Sequence, residues 1–238
     1  LSSSSAASDV YKRQGLYRVT YEGKEKTNPY VHKTQPGDLT VLRRKLETLH
    51  VGSNPKALEL AWPHVDHSDR FVRWAALMSI QRLPVNEWSS RALKEKDHGK
   101  RANLLLSLAK ASGIDPFHRT PTDPPVDSKM GRKIINSLLQ IKWDRLEAAE
   151  QLTFVRAYQV AMVRFGKPGK ETAQKIVQHL DPRFPDESFE MNWLLCETLS
   201  FLDAPSVAQK GIDLLMEAPT QEEQMEYARS LRTLKTGW

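Results

Sequence analysis

The stretch Asp66-His-Ser-Asp69-Arg-Phe-Val72-Arg73-Trp-Ala75-Ala76-Leu-Met-Ser-Ile80 decides how the rest of this 238-residue chain is read. An acidic turn precedes apolar residues spaced three and four apart, the period of a helix with one buried face. Asp69 stands where a carboxylate can accept from the free amides of a first helical turn. Ala75 and Ala76 are small enough to let a neighbouring helix come close. The pattern carries Phe71, Val72, Ala75, Ala76, Ile80 and Leu83 inward, and Pro84 stops it. Asp66, Asp69, Val72, Arg73, Ala75 and Ala76 mark the motif, with Arg73 expected to reach an acidic turn in an adjacent unit.

The same period continues on both sides. Asp38 is expected to cap a helix carrying Leu39, Leu42, Leu46 and Leu49, and Asn54-Pro55 opens another that runs to Pro63. Residues 85–95 form a helix anchored by Trp88 and Leu93, and 98–111 form one with Leu104, Leu105 and Leu108 inward. Four prolines make 113–126 a loop. Helices resume over 127–141, 146–165, 169–180, 187–202, 206–217 and 220–235. Pro55, Pro84, Pro125, Pro168 and Pro205 stand near the starts of successive units. They are roughly 30 to 43 residues apart, the scale of helix-pair repeats. One amphipathic pair cannot bury its inner face alone, whereas stacked neighbours can. The expected fold is all-α, a solenoid of antiparallel helix pairs over 38–238.

Composition agrees with a folded chain: 39% of residues are hydrophobic and 27% charged. No apolar run approaches the roughly 20 residues that span a bilayer, so no membrane span is expected. The net charge of +6 is spread along the chain, and pairs such as Arg43-Arg44 and Arg132-Lys133 fall within helical patterns. That distribution describes a solvated helix surface better than a clustered basic face. Cys196, among Trp193, Leu194, Leu195 and Leu199, reads as a small buried hydrophobe, and a single cysteine forms no internal disulfide. His64 and His67 lie beside Asp66 and Asp69 and could suggest a metal site. They sit across one turn without matching ligands elsewhere, so a repeat turn facing solvent is the preferred reading. Glu222-Glu223 follow Pro219 in a first helical turn, where the dipole favours acids. Neither a Gly-rich phosphate loop nor a Gly-x-Ser-x-Gly elbow is present. No catalytic, cofactor-binding or metal-ligating residue is therefore expected. Of Trp62, Trp74, Trp88, Trp143, Trp193 and Trp238, most are expected in the core and one or two on a partner surface.

The N-terminal part differs in kind. Residues 1–14 lack any period, and Asp9-Val-Tyr-Lys-Arg-Gln14 is similar to a translated transposon end from sequencing-library adapters. They are set aside as a non-native or disordered tail. Leu16-Tyr-Arg-Val-Thr-Tyr21 has strand chemistry and turns at Glu22-Gly23, with a polar linker to Gly37. The expected division is thus 1–14, a strand remnant and linker over 15–37, and the helical domain over 38–238.

Asp66 to Ile80 resembles the second helix of a HEAT repeat. Gly15-Leu-Tyr-Arg-Val-Thr-Tyr-Glu-Gly23 looks like the closing strand of a β-propeller in multidomain proteins of planctomycetes and verrucomicrobia. Pro84-Val-Asn-Glu-Trp88, Tyr158 to Pro168, and Ala218 through Trp238 resemble the same family. Those proteins join a sorbosone-dehydrogenase-like propeller, a HEAT-repeat region and a C-terminal c-type cytochrome. The resemblance implies a non-catalytic scaffold linking the two outer domains of one polypeptide, able to bind a protein partner, in a periplasmic or extracytoplasmic setting. Haem c would belong to the cytochrome domain, because this chain has no Cys-x-x-Cys-His. The alternative is a HEAT-like nucleic-acid binder or DNA glycosylase with a basic concave groove.

A strand without a partner must satisfy its amides with water. Hydrogen exchange is therefore expected to find Leu16–Tyr21 unprotected while the helices after Asp38 are protected. Strong protection at 16–21 would show that the segment pairs within this chain and would remove the case for a propeller remnant.

Overall fold

The computed structural model describes residues 18–25, 35–51, 54, 56–118, 120–123 and 125–238. The expected tail 1–14, Leu16 and Tyr17 of the expected strand, Pro29, His32, Pro55 and Pro124 lie outside the described residues. Residues 1–35 and 36–238 form separate compact units. In the first, 18–25 adopt no regular element and Val19 and Tyr21 are exposed, so the part of the expected strand that is described is not one.

The second unit is helical throughout, and no strand occurs among the described residues. Its α-helices are α1 (Asp38–Glu47), α2 (Ala57–Ala61), α3 (Arg70–Gln81), α4 (Val85–Leu93), α5 (His98–Ser112) and α6 (Ser128–Leu138). They continue with α7 (Ala148–Phe165), α8 (Lys170–Leu180), α9 (Phe189–Phe201), α10 (Val207–Glu217) and α11 (Gln221–Leu231). Short polar side chains start many of them. Asp69, Asp97, Asp127, Ser188 and Thr220 each accept from amides in the following turn, and Glu147 with Glu150 closes a capping box on α7. Asp38 departs from its expected role. It is the first residue inside α1, behind Gly37, and acts through the dipole as a first-turn acid.

The odd-numbered helices pack against one another in chain order, α1 on α3, α3 on α5, α5 on α7, α7 on α9 and α9 on α11. They also run in the same direction. The Ser79 hydroxyl near the end of α3 donates to the Leu46 carbonyl near the end of α1 (3.1 Å). Asp66, just before α3, meets Lys100 in the first turn of α5 (3.7 Å). Gly99 at the start of α5 lies against the Glu150 carboxylate at the start of α7, and at their other ends Ile114 N, just past α5, donates to the carbonyl of Arg164 in the last turn of α7 (3.1 Å). Lys167 and Asp203, immediately after α7 and α9, pair at 2.6 Å. Along α9 and α11, Phe189 faces Tyr227 and Glu197 reaches Arg229.

The even-numbered helices pack against this row in the opposite sense. Lys142, beyond the end of α6, donates its amide to His98 at the start of α5 (3.2 Å), and Gly131 at the start of α6 faces Phe165 at the end of α7. A Cβ at position 131 would come within 2.6 Å of the Phe165 side chain, so this approach requires glycine. Gly211 in α10 faces Leu231 at the end of α11 in the same manner. Helices α4 and α6 are parallel, since Ser137 donates to the Leu93 carbonyl at 3.0 Å. The last unit departs from this register: Asp181, at the end of α8, holds Ser206 and Lys210 at the start of α10 (2.6 and 3.0 Å).

The core follows from this arrangement. Helix α5, flanked on both sides, buries Ala102, Leu104, Leu105, Leu108 and Ala109 and even Arg101, Asn103 and Ser107. Trp88, Ile134, Phe154, Tyr158, Ile176 and Leu195 complete a continuous apolar interior. In α3, Val72, Ala75, Ala76 and Ile80 are fully inside. Phe71 is not, contrary to expectation. It lies one residue before Val72, about 100° round the helix, and shares an outward stripe with Trp74.

Ala76 has no exposed surface. Ala76→Glu should therefore cost more than about 2 kcal/mol through overpacking and desolvation of a carboxylate. Glu223→Ala, in the first turn of α11, should cost well under half of that. Denaturant melts showing equal shifts would mean that α3 is misplaced in its register.

Candidate functional site

The motif residues hold a turn together. Asp69 Oδ1 accepts from Phe71 N and Val72 N, both at 2.9 Å. Arg73 folds back on the carbonyls of His67 and Ser68 in its own turn, and so does not reach an adjacent unit as expected. That link is made from the other side, by Lys100 on Asp66. Acids in two later turns are met in the same way: Asp144 by Arg183 (3.2 Å) and Asp181 by Lys210 (3.0 Å). His67 Nδ1 accepts from Asp69 N (3.0 Å), so this ring is used inside the turn. No group of three or more His, Cys, Asp or Glu side chains that could hold a metal ion occurs among the described residues.

The open face of the odd-numbered row is where groups are left over. At its α3 end, Phe71 and Trp74 stand out between Arg70 and Arg73, with the Arg70 guanidinium 4.9 Å from the Phe71 ring centre. Trp74 and Trp238 are the tryptophans exposed among those described, at 56% and 71%. Further along, two clefts of about 240 and 190 Å³ flank α7 and share Arg156, Gln159 and Val163. One opens toward Lys110 and Phe117, the other toward Glu197 and Phe201.

A polar relay crosses the floor of these clefts. Arg156 donates to Gln159 Oε1 (2.7 Å), and Gln159 Nε2 donates to the Leu194 carbonyl (3.2 Å) and to Glu197 Oε2 (3.0 Å). Glu197 in turn pairs with Arg229 at 3.2 Å, and Arg229 with Glu226 at 2.8 Å. Gln159 is only 7% exposed and is fully satisfied. It fixes the Arg156 guanidinium without cancelling its charge. Among the described residues neither Arg156 nor Lys110 has a carboxylate within ion-pair distance. The loop beside them is anchored by Asp115, which accepts from Phe117 N and His118 N and pairs with Arg164 at 3.0 Å. The Phe117 amide and the Arg164 guanidinium hold the Asp115 carboxyl well below the usual carboxylate range.

Two buried titratable sites belong to packing. Cys196 is buried, and desolvation pushes its thiol up to about 11, which makes it inert rather than nucleophilic. The Tyr158 hydroxyl lies 3.2 Å from His179 Nδ1 and joins α7 to α8. Burial raises the Tyr158 pKa well above its ordinary value, so the hydroxyl keeps its proton, and the tautomer of His179 sets which of the two groups donates. Burial also lowers the His179 pKa, while its bond to the Ile141 backbone opposes that shift.

Sequence reasoning placed the motif turn but missed the relay. Arg156 and Gln159 look like two surface residues of an amphipathic helix, and their spacing of three, which puts them on one face, was the available signal. Compared with family models, curated proteins and solved structures, the chain matches none.

Burial beside Tyr158 favours the neutral His179 ring. In the unfolded chain it would take a proton near its ordinary value of 6.5, whereas the folded pKa lies lower. Stability should thus fall as pH drops through about 6.5, and His64 and His98, also depressed by burial, act with the same sign. Melts at about pH 7.5 and about pH 5.5 should show this loss. His179→Gln keeps a donor and an acceptor but cannot titrate, and should show a smaller difference; an unchanged one would remove His179 as a cause.

Proposed function

We propose that residues 38–238 form a HEAT-like α-solenoid that acts as a non-catalytic scaffold. In this reading it spaces a propeller dehydrogenase-like domain from a c-type cytochrome domain of the same polypeptide, outside the cytoplasm. One observation carries the solenoid part: the odd-numbered helices are parallel and each touches the next, while α6 runs antiparallel to α5 and α7, and α10 to α11. That is how helix pairs stack when each unit contacts only its neighbours. The recurrent turn acid met by a base from a following unit supports a repeated architecture independently of any consensus. The open face, with Phe71, Trp74, Phe117, Val163 and Phe201 toward solvent, supports partner binding. No helix among the described residues is long and apolar enough to cross a membrane.

A second reading, a nucleic-acid binder, is favoured by the α3 patch, where Arg70 and Trp74 offer a cation and a stacking surface. For a glycosylase the row would need a free acid in its groove. The acid at the α7 cleft, Glu197, is already engaged by Arg229 and Gln159.

The parent gene tests the scaffold reading. Long reads across the locus should place propeller codons before Gly15 and a Cys-x-x-Cys-His motif after Trp238. A locus coding for neither would end the domain-spacing proposal and leave a free-standing helical repeat.

A further inference from the structure

We propose that the double cleft astride α7 is a docking groove for an acidic amphipathic segment of another protein. This rests on the reading of the odd-numbered row's open face as an interaction surface, and it specifies both the place and the chemistry. Three observations combine. The walls are apolar and exposed without any service to the core: Phe117 is 88% exposed, Val163 66% and Phe201 44%. The two clefts share Arg156, Gln159 and Val163 as a common wall, so an elongated ligand lying across α7 can enter both. The cations at this groove are asymmetric in their pairing. Arg164 is neutralised by Asp115 and Arg229 by Glu197 and Glu226, yet Lys110 and Arg156 are left without a carboxylate among the described residues.

The Arg156 geometry makes the last point specific. Its guanidinium is oriented by a neutral amide oxygen, and that amide is itself pinned to α9 by two donated hydrogen bonds. A carboxylate in place of Gln159 would have satisfied the arginine internally. The amide leaves the remaining N–H donors set in position for an external carboxylate, which a guanidinium grips with two parallel bonds. Apolar walls flanked by held positive charge are complementary to a helix with Leu or Phe on one face and Glu or Asp beside it. A nucleic acid would meet the same cations, but Glu197 at the second cleft and the aliphatic walls serve it poorly.

The test uses the full chain, immobilised and panned with a displayed library of helix-forming peptides. Enriched peptides are expected to combine Leu or Phe with Asp or Glu. Their fluorescein-labelled versions should bind at least about tenfold more weakly to Arg156→Glu and to Lys110→Glu, and more weakly to Val163→Asp. Melts of all three variants should match the parent, since none of these side chains is buried. A peptide with Lys in place of its acids should regain binding to Arg156→Glu. Three outcomes overturn the proposal. Peptides that bind but respond to Trp74→Ala rather than to Arg156→Glu would leave the face an interaction surface with its site at α3. An oligothymidylate that binds through Lys110 and Arg156 while no peptide does would replace the partner class. Enrichment of nothing would end both this inference and the partner-binding part of the scaffold reading.

Discussion

Everything in this fold depends on one constraint: a helix in the odd-numbered row must be covered on two flanks at once. Helix α5 shows it most fully. Its buried positions go almost all the way round, and an arginine, an asparagine and a serine are enclosed along with the leucines. Such a helix has no stable existence without α3 on one side and α7 on the other, because the apolar surface left bare would far exceed what a monomer carries. Arg101 is enclosed because its guanidinium closes the α4–α5 turn on the Glu95 carbonyl, so the buried charge is hydrogen-bonded. The helices of the other layer then have a simpler task. They cover the row from one side and leave its other side open.

Much of this was legible in the residues. Asp69, the alanine pair and Ile80 gave the buried face of α3, and the prolines cut the chain near the observed ends. The reading erred where two apolar residues are adjacent. Phe71 and Val72 point about 100° apart, and at this turn of α3 only one of the two directions is covered, which a single sequence does not reveal. It also erred at Arg73. A cation six residues beyond a turn can reach back to its carbonyls as easily as across to a neighbour. Direction along the row, by contrast, was beyond sequence. It is written in contacts such as Ser79 with Leu46 and Lys167 with Asp203, between residues more than thirty positions apart.

The groove illustrates why sites are harder to read than folds. Hydrophobic period identifies what is buried; it is silent on which exposed charge lacks a counter-charge. Arg156 becomes distinctive only because the glutamine beside it is itself occupied by α9. The same blindness covers Tyr158 and His179, twenty-one positions apart, which meet at 3.2 Å between α7 and α8. The expectation of a dehydrogenase-linked scaffold came from resemblance alone and stands as a proposal. The packing of helices supports its architectural half.

The contacts between successive units fall into two kinds with different mechanical character. The spine is apolar and closely packed, and resists separation of neighbouring helices. The rims are tied by ion pairs such as Lys100–Asp66, Arg183–Asp144 and Lys167–Asp203, which are at least partly exposed. Such pairs are individually weak and are screened by salt. Added salt should therefore loosen the rims of the helical unit while leaving its apolar spine untouched.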